Sequence, residues 1–489
     1  MNRCPVDHDA ATLSASAKAP APVSIAQLPG PRGWPVLGSR LQLDGAAMHR
    51  TLEAWCARYG DRYRFRVGAR TIVVFSDPEA IRDMLRDRPD GFQRSQRLVD
   101  VLAEMGPTGL FAANGATWRA QRPLVMAALD PAHLRHFFPT LAQVTQRLLA
   151  RWQRAARSGE DLDLPAELTR YTVDVVASLA LGADINTIED QGPAVQQHLN
   201  AVFSTAHRRL FASFSYWRWL KLPADRAFDR HAAELGRLVR ELIAAARQRL
   251  ADDPQRRERP PNLIEALVCA RDQDGGPLTD EDVAGNVLTM LVAGEDTTAH
   301  TLAWMLRLLG QEPEAWRRAR EEVQQVAGAA PFPQDYAQAE QLPYLTACAH
   351  EAMRLKPVAP LLGLQAVRAT VVGGVRIPAG GIAMGLLRPA AVDEARWPQA
   401  GRFLPERWLE GGAAHAQAHS TQRVAMPFGA GPRICPGRML ALLEIRMAAA
   451  MLLKNFRIEE LTPPAERGRE LLAVTMRPAA MRVRLHVVK

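Results

Sequence analysis

Pro427-Phe-Gly-Ala-Gly-Pro-Arg-Ile-Cys-Pro-Gly437 runs straight into Arg438-Met-Leu-Ala-Leu-Leu-Glu-Ile-Arg-Met-Ala-Ala-Ala-Met-Leu-Leu453, a string of strong helix formers. One cysteine therefore sits in a stiff glycine and proline loop at the head of a helix. Backbone N–H groups and the positive end of the helix dipole there favour a thiolate able to ligate a metal. The glycines let the backbone pass close to something flat. Other readings compete. A dinucleotide loop needs a third glycine where Ile434 stands. A nucleophilic cysteine needs a histidine base, and no local signature supplies one. An inert buried thiol explains neither the glycines nor Arg433.

One thiolate without companion ligands suits a haem iron, whose four equatorial bonds come from the macrocycle. A second constellation, Leu291-Val-Ala-Gly-Glu-Asp-Thr-Thr298, lies inside an apolar helical stretch from Val283 to Leu309. Gly294 costs a helix interior about 1 kcal/mol against alanine, and two adjacent β-branched threonines add to that. Ala293 and Gly294 would admit a planar ligand close to the helix backbone. Thr297 can turn its hydroxyl on the carbonyl four residues back and open the helical ladder, making a polar notch in an apolar wall. Asp296 beside it is either a solvated face residue or a proton relay, and burial there would perturb its pKa.

The chain has 489 residues, 47% hydrophobic and 23% charged, with 61 basic against 52 acidic residues and a net charge of +9. That is enough apolar material for a large core and excludes a disordered chain. No dense basic run interleaves with aromatics, so a nucleic-acid groove is not indicated. Five scattered cysteines without C-x-x-C pairs specify no disulfide framework, zinc site or iron–sulfur cluster. Residues 1–24, rich in Ala, Ser and Pro, read as a disordered tail without an apolar signal core, and no run is long enough to span a bilayer. Leu28-Pro-Gly-Pro-Arg-Gly-Trp-Pro-Val-Leu-Gly38 reads as a stiff segment laid on the domain surface.

Tyr63–Val67 alternates as a strand, Gly68-Ala69-Arg70 turns, and Thr71–Phe75 is its hairpin partner. Ser76 and Glu79 form a capping box for a helix through Leu85. Helical patterns dominate from about 130 to 355, and Met481, Val483, Leu485 and Val487 alternate in a terminal strand. The chain is predicted to be mostly α with minor β, one large domain over 25–489. Glu351-Ala-Met-Arg354 and Trp118-x-x-x-Arg122 read locally as ordinary helical pairs. A Trp N–H and a guanidinium on one face can, however, bind a carboxylate together.

In combination these motifs resemble the cytochrome P-450 superfamily of haem-thiolate monooxygenases, of the soluble bacterial type, in family order along nearly the whole chain. The resemblance implies a long central helix over the haem, with small sheets towards the N- and C-terminal parts. Its cysteine-loop pattern falls on Phe428, Gly431, Arg433, Cys435 and Gly437. Cys435 is implied as the axial thiolate ligand of haem b, with Arg433, Trp118 and Arg122 near the propionates. Glu351, Arg354 and Arg407 match a buried structural triad. Asp296 and Thr297 match the acid–alcohol pair that manages protons for dioxygen.

Two positions depart from the family pattern. A propionate-binding Arg or His is replaced by Leu364, with Arg368 or Gln365 as substitutes, and a frequent His-Arg-Asp reads Ala391-Val392-Asp393.

The implied activity is insertion of one oxygen atom of dioxygen into a lipophilic small molecule. A peroxide-using or isomerising relative and a haem-thiolate sensor are the alternatives. Electrons are expected from a separate ferredoxin or flavodoxin type donor with its NAD(P)H reductase, docking near Cys435 where Arg438 and Arg119 add positive charge. The pocket is expected from 92–110, Leu291, Ala293 and Val358–Leu362, with Phe203, Phe211, Phe214, Tyr216, Trp217 and Trp219 divided between core and access channel. A cytoplasmic location and no nucleic-acid partner complete the reading.

Overall fold

The computed structural model describes residues 21–189, 201–202, 205–206, 208–210, 212, 214–271, 276–409 and 424–488. The apolar stretch around Leu291 lies in an unbroken helix of 31 residues, Asp280–Gly310. Thr279 caps it by accepting from the Asp282 N–H at 3.1 Å, and Asp280, Glu281 and Asp282 complement the dipole in its first turn. Helices Leu164–Leu181, Pro343–Leu355, Pro223–Asp252 and Arg438–Asn455 pack around it. Leu302, Ala303, Met305, Val175, Leu345 and Leu443 close one large apolar core between them.

The order is mostly helical with small sheets, as the composition and periodicity require. A five-stranded sheet runs Arg62–Val67, Arg70–Phe75, Ile382–Leu386, Leu361–Ala366, Phe92–Gln93. Its second and third strands are parallel and its other pairs antiparallel. The expected hairpin is its first pair. The terminal strand Arg482–Val487 lies between Phe456–Glu460 and Asp161–Asp163, with Val483 and Leu485 buried. A hairpin of Glu470–Leu472 and Met476–Pro478 reaches the central helix, where Trp304 donates from Nε1 to the Met476 carbonyl at 3.3 Å. At its root Glu470 is held by His49, Arg388 and Lys356.

Three local expectations are corrected. The helix Pro78–Arg86 is capped by Asp77, which accepts from the Ala80 N–H at 3.0 Å, because Pro78 occupies the first helical position. Ser76 is engaged by Asp61 and Cys56 instead. Of the tail expected over 1–24, residues 1–20 lie outside the described residues, while Val23 and Ser24 pair in parallel with Val375 and Arg376.

Gly294 is explained by packing. A Cβ there would stand 2.6 Å from Val176 Cγ2 on Leu164–Leu181, so this glycine lets two helices meet rather than admitting a planar ligand. Helix propensity alone would make Gly294→Ala stabilising by about 1 kcal/mol. Overpacking against Val176 costs about 1–3 kcal/mol. Equilibrium urea unfolding is expected to show Gly294→Ala net destabilised, and less so in a Val176→Ala background. Equal effects in both backgrounds would refute the contact.

Candidate active site

The cysteine loop is built by two tight glycine turns. Gly429 and Gly431 adopt φ of 76° and 70°, and a Cβ on Gly431 would meet the Leu85 carbonyl at 2.6 Å. The loop therefore lies against the end of Pro78–Arg86, and the Cys435 N–H donates to the Phe428 carbonyl at 2.9 Å. Burial pushes the Cys435 thiol up, outweighing the Gly437 N–H and the cations of Arg122 and Arg438, which pull it down. The lowered thiol expected from the helix end is thus reversed in the protein alone. A metal ion bound at the sulfur would supply the positive charge that favours the thiolate.

Arg433 and Arg122 brace this loop. Arg122 donates from Nη2 to the Ile434 carbonyl at 2.5 Å. Arg433 donates to Asn114 Oδ1 at 3.2 Å, to the Leu110 carbonyl at 3.1 Å and to Ala113, and its guanidinium lies 5.1 Å from the buried Trp118 ring. The Leu110 N–H then donates to Asn286 Oδ1 at 2.9 Å on the central helix. Asn286, Leu110, Arg433 and Cys435 form a continuous frame tying the helix to the loop.

Sequence reasoning missed two further arginines. Arg88 is buried with Nε and Nη2 unpartnered, and Arg94 has an unpartnered Nε. Burial, with repulsion from Arg94 and Arg433, pushes Arg88 down to about 8. Burial pushes Arg94 down to about 10, and burial with Arg94 and Arg122 does the same to Arg433. Among the described residues none of Arg88, Arg94, Arg122 and Arg433 has a carboxylate in ion-pair contact. Such a cluster fits the carboxylates of an anionic ligand. Leu364 is buried in the sheet core, Arg368 is paired with Asp87 at 2.9 Å, and Gln365 binds the Gly380 carbonyl. None of these three supplies the missing contact; Arg88 and Arg94 are placed to do so.

On the central helix, Thr289, Val292, Ala293, Asp296 and Thr297 form an accessible stripe at helical spacing, although most of the helix is buried. The Thr297 hydroxyl donates to the Ala293 carbonyl at 2.7 Å, as its position suggested. The ladder nevertheless stays closed through this point. Thr301 donates likewise to Thr297, and Thr172 reaches across from Leu164–Leu181 to the Glu295 carbonyl at 2.9 Å. Burial pushes the Asp296 carboxyl up, against the opposing charge of Arg477. Its side chain is still 44% exposed. A group that is deep yet accessible lines a concave wall, and Cys435 and Arg94 share that character.

Glu351 and Arg354 are fully buried rather than a surface pair, meeting through two bonds of 2.7 Å. Arg407 Nε and Trp408 Nε1 add bonds to Glu351 at 3.3 and 2.9 Å. Arg354 also donates to the Ala391, Ala400 and Arg402 carbonyls, so Ala391 contributes backbone where a side chain was missed.

The expected 92–110 segment carries the helix Gln96–Ala103 and is tied to 209–212 by Arg97, which donates to three carbonyls there. Trp217 is core, donating to Glu104 at 2.8 Å, while Phe214 and Trp219 are exposed. Phe203 and Phe211 lie outside the described residues. Arg119, expected to add positive charge near the cysteine loop, is paired with Asp90.

Among the described residues no three His, Cys, Asp or Glu side chains converge as a metal site. A metal on Cys435 therefore takes its other bonds from a carrier, and a flat iron macrocycle with carboxylate arms fits both the lone thiolate and the arginine cluster. The sequence matches the cytochrome P450 family profile over residues 28–483. The chain belongs to the cytochrome P-450 family. It is 28% identical over 437 residues to thromboxane-A synthase of Sus scrofa, covering 82% of this chain and 81% of that one. It is 27% identical to the chloroplastic carotene epsilon-monooxygenase of Arabidopsis thaliana, covering 87% and 80%. A self-sufficient monooxygenase of Penicillium camemberti is 27% identical over 94% of this chain but only 43% of its own length. In fold, a crystal structure of another cytochrome P-450 haem domain superposes with a TM-score of 0.82 at 22% identity, covering 94% of this chain and 98% of that one.

The cluster gives a prediction of opposite signs. Arg88→Leu removes a buried charge that no carboxylate among the described residues answers, so the haem-free chain is expected to gain thermal stability while the loaded cytochrome P-450 loses haem faster to an acceptor globin. Unchanged haem loss would separate Arg88 from the cofactor.

Proposed function

We propose that this cytochrome P-450 hydroxylates or epoxidises a lipophilic small molecule, using dioxygen and electrons from separate redox proteins. The observation that carries this reading is the notch at Asp296 and Thr297 on the accessible stripe of the central helix. Haem b, held by Cys435, would supply dioxygen activation, which an electron-rich thiolate ligand favours. Phe428, Gly431 and Gly437 shape the loop around the ligand, and Arg433, Trp118 and Arg122, now with Arg88 and Arg94, take its carboxylates.

The Thr297 hydroxyl gives its proton to the Ala293 carbonyl, which leaves its oxygen lone pairs facing the accessible side as acceptors. Asp296, pushed towards its neutral form by burial, is one residue away as a proton source. A peroxide-driven or isomerising enzyme, or a sensor, has no use for that pair. Leu291, expected to shape the pocket, is instead packed in the apolar core; the apolar Val292 and Ala293 on the accessible stripe support a lipophilic substrate. The exposed Arg438 is the positive group next to the cysteine loop for an acidic ferredoxin or flavodoxin type donor, itself reduced by an NAD(P)H reductase. In this reading residues 25–489 are one catalytic domain in the cytoplasm; no helix among the described residues is long and apolar enough to cross a membrane.

Thr297→Ala tests the reading. Product formed per reduced nicotinamide consumed is expected to fall on the order of tenfold or more, with hydrogen peroxide released in its place. Unchanged coupling would remove Thr297 from proton handling.

A further inference from the structure

His300 follows Asp296 by one helical turn and is buried, yet both of its ring nitrogens have something to face. Nδ1 lies 2.8 Å from Thr475 Oγ1 on the C-terminal hairpin. Nε2 lies 3.9 Å from Asp296 Oδ1, a gap that one water or a small rotation of the carboxyl closes. Thr475 is itself buried, and its hairpin is fixed twice elsewhere, by Trp304 at Met476 and by the ion cluster at Glu470. The hairpin therefore does not need His300 as a fastener. A residue with one polar edge would satisfy Thr475; an imidazole offers two edges in fixed opposition.

We propose that His300 is a positioning residue for the acid–alcohol pair: Thr475 fixes its ring on one side so that the other nitrogen holds the Asp296 carboxyl in the notch beside Thr297. This rests on the reading of Asp296 and Thr297 as the proton-handling pair. Burial, then Arg477, pushes the imidazole down to about 4, so near neutrality it meets Asp296 as an uncharged ring. A neutral ring can donate to an ionised carboxylate at Nε2, or accept from the protonated acid once its Nδ1 carries the hydrogen and donates to Thr475. Both states of Asp296 are thereby held in one orientation. Arg477, on the same hairpin, is the cation whose charge reaches both residues. The hairpin is thereby linked to proton delivery through Thr475 and His300, both buried behind the notch.

Two substitutions separate this role from a structural one. His300→Asn keeps a polar group near Nδ1 and loses the edge towards Asp296, whereas His300→Gln does the reverse. In the haem-loaded enzyme His300→Asn is expected to lower product per reduced nicotinamide by on the order of tenfold, with His300→Gln retaining most of the coupling. A second readout needs no turnover. In the reduced, carbon monoxide-bound and hence diamagnetic protein, Asp296→Asn should shift the 15N resonance of His300 Nε2. Coupling lost in His300→Gln but kept in His300→Asn, or an Nε2 resonance unmoved by Asp296→Asn, would overturn the proposal. If Thr297→Ala still uncouples in that case, only the role of His300 falls; if it does not, the underlying reading falls as well.

Discussion

Four guanidinium groups, those of Arg88, Arg94, Arg122 and Arg433, gather where three chain segments meet, and among the described residues no carboxylate pairs with them. Like charges brought together out of water are costly, and a fold tolerates them only where a counter-charge arrives. Here the counter-charge fits a ligand. The cysteine loop, the Leu110–Arg122 segment and the end of Pro78–Arg86 are all arranged around that demand. Arg433 and Arg122 spend their remaining donors on the carbonyls of Leu110, Ala113 and Ile434, so the same side chains that would hold a ligand also set the height of Cys435. Burial pushes its thiol up, and a bound metal ion would pull it back towards the thiolate.

The opposite wall is a single rigid element. Carbonyls of Ala293, Glu295 and Thr297 each receive a threonine hydroxyl, so the polar groups of the notch are satisfied without breaking the helix. Rigidity comes also from the Gly294–Val176 contact, which packs the central helix closely against Leu164–Leu181. Asp296, Thr297 and His300 consequently occupy fixed stations along one face, and their order in the chain becomes an order in space.

Much of this was legible in the sequence because it is local. Cys435 at the head of a helix, the Thr297 hydroxyl on the carbonyl four residues back and the alternating strand at 481–487 each depend on neighbours within a turn or two. The rest depends on segments far apart in the chain. Glu351 and Arg354 read locally as a surface pair, and only the family resemblance implied their buried triad with Arg407, which Trp408 and three backbone carbonyls enclose. Gly294 invited a ligand explanation because nothing near it in sequence revealed Val176. Arg88 and Arg94 went unnoticed since a lone arginine in a turn carries no signal; their meaning comes from meeting Arg433. Ser76 misled because the capping box ignored the proline two residues on, which moves the cap to Asp77.

The central claim is that Cys435 binds haem as a thiolate. The reduced, carbon monoxide-bound absorption spectrum of the purified protein tests it most directly. A strongly red-shifted Soret band is the predicted result, since it reports an anionic sulfur ligand on the iron. A haem-replete protein without that shift would mean a neutral or absent thiolate, and the account of the loop and of the arginines that brace it would be contradicted.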